Sequence, residues 1–324
     1  MRRLAWIALF CAGMGQVQVR ADAPAIPIAM PEFTVLERIT PVDPMAERPT
    51  QWANPLVGLT DLVYATLPGF RPLRLDLYRQ SGVDSPRPLV VVVHGGGWAH
   101  ANPRVGAGFR DFPSVLAYLA QQGYAVASIE YRLSGEAPFP AQVEDLQAAL
   151  RFLRSSAGRF GIDPDRVALW GLSAGAQIAA LHATSCNPPD CVQALVGWFG
   201  AYDLAAYVVE SPGGSSVQTY LRCATQGCPA AALAAASPIR HVDARDPPTL
   251  LVHGLDDTQV IPLQSRRFTD ALRAADIDTQ LILVPDVGHG LIGKDAATTS
   301  RALRQALAQT IGFLDQRLKP GQGP

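Results

Sequence analysis

Two hydrophobic periods divide the chain. Between Arg74 and Arg79 apolar and polar residues alternate, the pattern of a strand with one buried face. Leu89 to Val93 is instead an unbroken, mostly β-branched apolar run, the pattern of a strand buried on both faces of a parallel sheet. Beyond it the two patterns take turns. Apolar positions recur at helical spacing near Phe112 to Gln122, Ala141 to Ser155, Ala174 to Thr184, Leu263 to Ala275 and Arg301 to Leu318. Short apolar runs near Tyr124 to Glu130, Val167 to Trp170, Ala194 to Trp198, Thr249 to Val252 and Gln280 to Val284 predict strands between them. Strands that alternate with helices make βαβ units. The expected class is therefore α/β, a mostly parallel central sheet with helices on both faces.

The flanks of this pattern differ from it. Residues 22–55 are proline-rich and without a sustained apolar period, which predicts an extended N-terminal arm. Residues 56–318 form the single expected domain, and residues 319–324 a short C-terminal tail. Inside the domain, residues 203–245 carry Gly213, Gly214 and a pair of cysteines, and Ala230 to Ala236 reads as a short helix. This segment is placed as a small lid over the carboxyl edge of the sheet.

Residues 1–21 read as an export signal. Arg2 and Arg3 precede the apolar stretch Leu4 to Gly13, and small residues follow at Val19 and Ala21. Cleavage after Ala21 fits; Ala23 also satisfies the small-residue pattern, but Pro24 would follow the cut. The apolar stretch is too short for a membrane core of roughly 30 Å, so no stable membrane insertion is expected after cleavage. Cys11 does not make a lipid-attachment signal, because Phe10 stands where a small residue is needed.

Charge and cysteines narrow the picture further. The net charge is −1 and the basic residues are scattered, which argues against a nucleic-acid partner. Loss of residues 1–21 removes three arginines and no acid, leaving 24 basic against 28 acidic residues, or −4. Cys186 with Cys191 and Cys223 with Cys228 each enclose four residues. In an exported chain this spacing suits two local disulfides, with four free thiols as the alternative. No CxxC or paired histidine suggests zinc.

Gly171-Leu172-Ser173-Ala174-Gly175 is a GxSxG sequence set between a predicted strand and a predicted helix. Such a turn needs small neighbours because the serine backbone is strained, and the helix N-terminus favours negative charge developing there. Ser173 is the candidate nucleophile. His94-Gly95-Gly96-Gly97-Trp98 follows the buried strand, and its glycines leave amide N–H groups bare. The N–H groups of Gly96, Gly97 and Ala174 are the candidate oxyanion hole, in which each fixed donor is worth about 3–4 kcal/mol. The loop has neither the lysine of a phosphate loop nor a GxGxxG spacing.

A serine hydroxyl needs a base, and His289 is the candidate. It lies in Gly288-His289-Gly290 just past a predicted strand and is last in chain order. His94 and His253 also end strands and read as braces of their loops; His100, His182 and His241 lack supporting context. For the acid that orients the imidazole, Asp256 and Asp257 both follow the strand Thr249 to Val252. Asp203 is an outside candidate whose simpler reading is a helix N-cap. Trp98, Trp198 and Phe199 are candidate walls of the substrate pocket, or plain core.

These residues resemble the α/β-hydrolase superfamily, in particular exported esterases and lipases of the BD-FAE type and, more distantly, the hormone-sensitive-lipase type. The resemblance spans about Leu56 to Leu318. Besides HGGGW and GLSAG it rests on Leu75-Asp76-Leu77-Tyr78, Tyr131-Arg132-Leu133, Pro138-Phe139-Pro140-Ala141 and Gly161-Ile162-Asp163-Pro164-Asp165-Arg166. It also rests on His253 to Val260, which matches HGxxDxxV and selects Asp257 as the acid. Leu172 departs from the acidic residue of the hormone-sensitive-lipase pattern, Glu130 from an aspartate, and Gln177 from a common glycine or histidine. The resemblance implies a serine hydrolase that cleaves small-molecule carboxylic esters of short to medium acyl chain through an acyl-enzyme, with no metal or organic cofactor. An arylformamidase, other amidase or peptidase would use the same triad, and a silent binding protein could share the fold.

Overall fold

The structure is a computed structural model and describes residues 56–82, 85–224 and 227–319. The expected signal and arm lie outside the described residues, as does the tail beyond residue 319. Eight strands form one sheet: β1 (Leu56–Ala65), β2 (Leu73–Gln80), β3 (Arg87–Val93), β4 (Ala125–Ile129), β5 (Ile162–Leu172), β6 (Ala194–Trp198), β7 (Thr249–Gly254) and β8 (Thr279–Val284). Their spatial order is β1-β2-β4-β3-β5-β6-β7-β8. β1 and β2 run antiparallel to their neighbours, and every pairing from β4 to β8 is parallel.

β3 shows why the sheet has two covered faces. Leu89, Val91 and Val93 enter one core layer while Val90 and Val92 enter the other, and all five are fully buried. The first layer is closed by α2 (Ala141–Ser155), the four-residue α3 (Ala157–Phe160), α4 (Ala174–Ser185) and α8 (Leu263–Ala274). The second is closed by α1 (Phe112–Gln121) and α9 (Ala296–Leu318). α1 starts where Asp111 accepts from Ser114 N–H, and α9 where Asp295 accepts from Thr298 N–H. α9 thus begins five residues before the periodicity suggests, because Ala296 to Ser300 offers little apolar contrast.

β1 is the strand that the hydrophobic pattern hides. Leu59 pairs with Leu77 but Leu62 with Leu75, so the strand bulges there and its apolar residues slip out of period two. The bulge holds Asp61 at φ 57°, with its N–H donating to Asp76. The buried Asp76 carboxylate is in turn paired with Arg104 at 2.7 Å, which fixes the loop after β3 against this edge of the sheet.

The described residues of 203–245 hold three short α-helices, α5 (Leu204–Glu210), α6 (Ser216–Leu221) and α7 (Ala230–Ala235). Asp203 caps α5 by accepting from the N–H groups of Ala205 and Ala206. Cys186 is bonded to Cys191 just past α4, and Cys223 to Cys228 just past α6. Among the described residues no helix is long and apolar enough to cross a membrane.

Candidate active site

Ser173 follows β5, the His94–Trp98 loop follows β3, Asp257 follows β7 and His289 follows β8. All four leave the sheet at the carboxyl ends of parallel strands, so the order of the strands brings them to one edge. The turn at Ser173 is sharp. Its φ of 52° lies in the left-handed region, and its N–H donates to Trp198 O at 2.9 Å. The flanking glycines are required by close approach. A Cβ on Gly171 would overlap the backbone of Gly175 and Ala176, and one on Gly175 would overlap the carbonyl oxygens of Val93 and His94. α4 therefore sits directly on the end of β3.

Ser173 Oγ lies 2.9 Å from His289 Nε2, and His289 Nδ1 lies 2.7 Å from Asp257 Oδ2. A carboxylate accepts only, so Nδ1 carries the proton and Nε2 is free to accept from the serine hydroxyl. The other carboxylate oxygen, Oδ1, accepts from the N–H groups of Gln259 and Val260, each at 2.9 Å. Burial by itself would raise the Asp257 carboxyl. Hydrogen bonds from His253 and His289 outweigh it and hold the group well below the usual carboxylate range. Asp256, its neighbour, is exposed.

His253 does more than brace its own loop. Its Nε2 is 2.7 Å from the carbonyl of Val260, an acceptor, so Nε2 bears the hydrogen and Nδ1 accepts from Ser265 Oγ at 2.7 Å. The same Nε2 lies 3.3 Å from Asp257 Oδ2, backing the acid from behind. The His289 loop is pinned by Gly288 N–H on Ile292 O and by Gly108 N–H on Gly290 O, both at 2.9 Å. His94 is buried, which lowers its imidazole to about 4, and its Nδ1–H donates to Gly95 O. His182 and His241 bond to the carbonyls of Asp190 and Ala235, and His100 is exposed.

The N–H groups of Gly96, Gly97 and Ala174 donate none of the loop and cap hydrogen bonds found among the described residues, and they stand on the two elements that meet at Ser173. The aromatic candidates part company. Phe199 presents its edge to the His289 ring at 5.0 Å. Trp98 belongs to the His94–Trp98 loop but is buried, stacked on Tyr220 at 4.6 Å. Trp198 is not at the site: it is fully buried in the layer under α9, its indole N–H on Thr310 at 3.1 Å. Of the two readings open for Trp198, plain core is the one its burial supports, because alternate residues of a strand face opposite layers. Two tyrosines that the sequence did not single out pack against Trp98, Tyr207 edge-on at 6.4 Å and Tyr220 stacked at 4.6 Å.

A mostly parallel sheet that delivers serine, acid and histidine in that chain order from the carboxyl ends of β5, β7 and β8 is the α/β-hydrolase fold. The chain belongs to the BD-FAE family, whose model matches residues 75–272. It is similar to the esterase LipQ of Mycobacterium tuberculosis, 29% identical over 268 residues that cover 79% of this chain and 62% of that protein. It is also similar to the isoprenylcysteine alpha-carbonyl methylesterase ICME of Arabidopsis thaliana, 26% identical over 283 residues, 74% of this chain and 64% of that protein. The chain thus spans about three-fifths of the length of these relatives. Among solved structures, a truncated carbohydrate esterase from gut microbiota superposes with a TM-score of 0.66 at 24% identity, covering 81% of this chain and 96% of that one.

The contact of α4 with β3 generates a test that needs no substrate. Gly175→Ala forces a methyl group against two backbone carbonyls, which cannot swing aside, and should cost about 3 kcal/mol. The urea midpoint should fall accordingly; an unchanged midpoint would show that the two elements are not in contact.

Proposed function

We propose that this protein is an exported serine esterase that hydrolyses small-molecule carboxylic esters through an acyl-enzyme. The observation that carries the reading is the unbroken hydrogen-bond chain Ser173–His289–Asp257 beside uncommitted N–H donors. Ser173 Oγ attacks the ester carbonyl carbon while its proton passes to His289 Nε2, and the carbonyl π-electrons move onto oxygen. The N–H groups of Gly96, Gly97 and Ala174 stabilise that oxyanion. As it collapses, the C–O bond to the alcohol breaks and the alcohol leaves with the proton from Nε2. Water, deprotonated by the same nitrogen, then releases the acid. Asp257 stays ionised throughout and stabilises the imidazolium.

A short to medium acyl chain fits the surroundings of the oxyanion loop. A Cβ on Gly97 would lie 3.9 Å from Ser216 Cβ, so the start of α6 lies close to this loop, with Tyr207 and Tyr220 packed against Trp98. In this reading residues 203–245 act as the lid. Ser173→Ala should leave the melting temperature within a few degrees and reduce hydrolysis of a nitrophenyl ester series to below about 1%. Asp257→Asn should cost far more rate than Asp256→Asn. Residual activity above a few per cent, or equal losses at the two aspartates, would overturn these assignments. Faster cleavage of a formanilide than of an aryl acetate would move the protein to the amidases.

Export is supported by the basic and apolar start of the chain and by the two disulfides, which suit an oxidising compartment. The mature protein should begin at Asp22 on N-terminal sequencing. A product that retains Met1 to Ala21 would contradict it.

A further inference from the structure

Three consecutive residues of the oxyanion loop lie in the left-handed region, Gly96 at φ 101°, Gly97 at 58° and Trp98 at 60°. Glycines adopt such angles freely, but tryptophan avoids them and keeps one only where its surroundings hold it. Trp98 is held on three sides. Its ring stacks on Tyr220, its carbonyl accepts from Ser134 N–H at 2.8 Å, and its indole N–H donates to Gln177 Oε1 at 2.8 Å.

Gln177 is fully buried and is the one polar side chain between Ala174 and Leu181 on α4. It stands one turn beyond Ser173, with its own N–H 3.3 Å from the Ser173 carbonyl. Its Nε2 donates to Ala236 O at 2.7 Å, at the end of α7. A buried amide is costly unless its hydrogen bonds are made, and a leucine would fill the same space. What the amide adds is direction. It ties the oxyanion loop, the nucleophile helix and the lid segment to one another.

We propose that Gln177 is a positioning residue that registers the Gly96–Gly97 half of the oxyanion hole against the Ala174 half. The inference rests on the esterase reading. The two halves stand on different elements, and a displacement between them of a fraction of an ångström would spoil donor geometry while leaving substrate binding intact.

Two variants test this from opposite ends of one bond. Gln177→Met keeps the length and volume but makes neither hydrogen bond; Trp98→Phe keeps the stacking on Tyr220 but loses the N–H. Each should lower kcat on nitrophenyl acetate about 30-fold with KM within about twofold. Affinity for a trifluoromethyl ketone, whose hemiketal oxyanion occupies the same donors, should fall by the same factor. The double variant should lose no more than the larger single loss. Melting curves separate these effects from loss of fold, and if Gln177→Met does not fold, Trp98→Phe decides. Folded variants with unchanged kcat and ketone affinity, or a loss carried by KM, would reduce Gln177 to packing. A wild-type protein that hydrolyses no ester would remove the esterase reading itself, and the inference with it; that result is seen before any variant is compared.

Discussion

The start of α4 rests on the end of β3 with no side chain between them, because Gly175 leaves room for backbone alone, while Gly171 lets β5 turn tightly into α4. That contact decides where everything else at the site can be. It turns the chain sharply enough to hold Ser173 at φ 52° with its hydroxyl off the sheet, and it sets Ala174 N–H beside the glycine loop that leaves β3. The strain at Ser173 and at Trp98 is sustained by the packing on either side, by Ser173 N–H on Trp198 O and by the Trp98 stack on Tyr220.

Electrostatics complete what packing begins. Asp257 is almost wholly buried, an environment that disfavours its charge, yet two backbone N–H groups and two histidines surround the carboxylate. An acid ionised on those terms fixes the proton of His289 on Nδ1 and leaves Nε2 for the serine. His253 contributes from the far side and donates also to Val260 O, so the strand end, the acid and the loop after it form one hydrogen-bonded unit. Residues of the 203–245 segment are tied instead to the loop after β3 and to α4: Tyr207 and Tyr220 pack against Trp98, and Ala236 O accepts from Gln177.

Much of this was legible in the chain, for physical reasons that differ by element. The apolar run Leu89 to Val93 announced a doubly buried strand, and α2 and β6 fall where their apolar spacing placed them. GxSxG and HGGG were readable because backbone proximity demands glycine. β1 was not, since the bulge at Asp61 breaks the alternation on which the reading depends. Trp198 stayed open between pocket wall and core because sequence gives a residue's strand but not which face it takes at the strand's end. Gln177 stood out in the sequence only as a departure from a common glycine or histidine; its partners Trp98 and Ala236 are 79 and 59 residues away, and no local pattern connects them.

In the proposed mechanism the folded arrangement activates the hydroxyl of Ser173 and no other. Treatment with a nitrophenyl dialkyl phosphate, followed by peptide mapping, tests it without choosing a substrate. The account predicts one phosphoryl adduct per chain, on the peptide that contains Ser173, formed in native protein and absent when the reagent is added in urea. Adducts spread over other hydroxyls, or equal labelling of native and denatured chains, would contradict it.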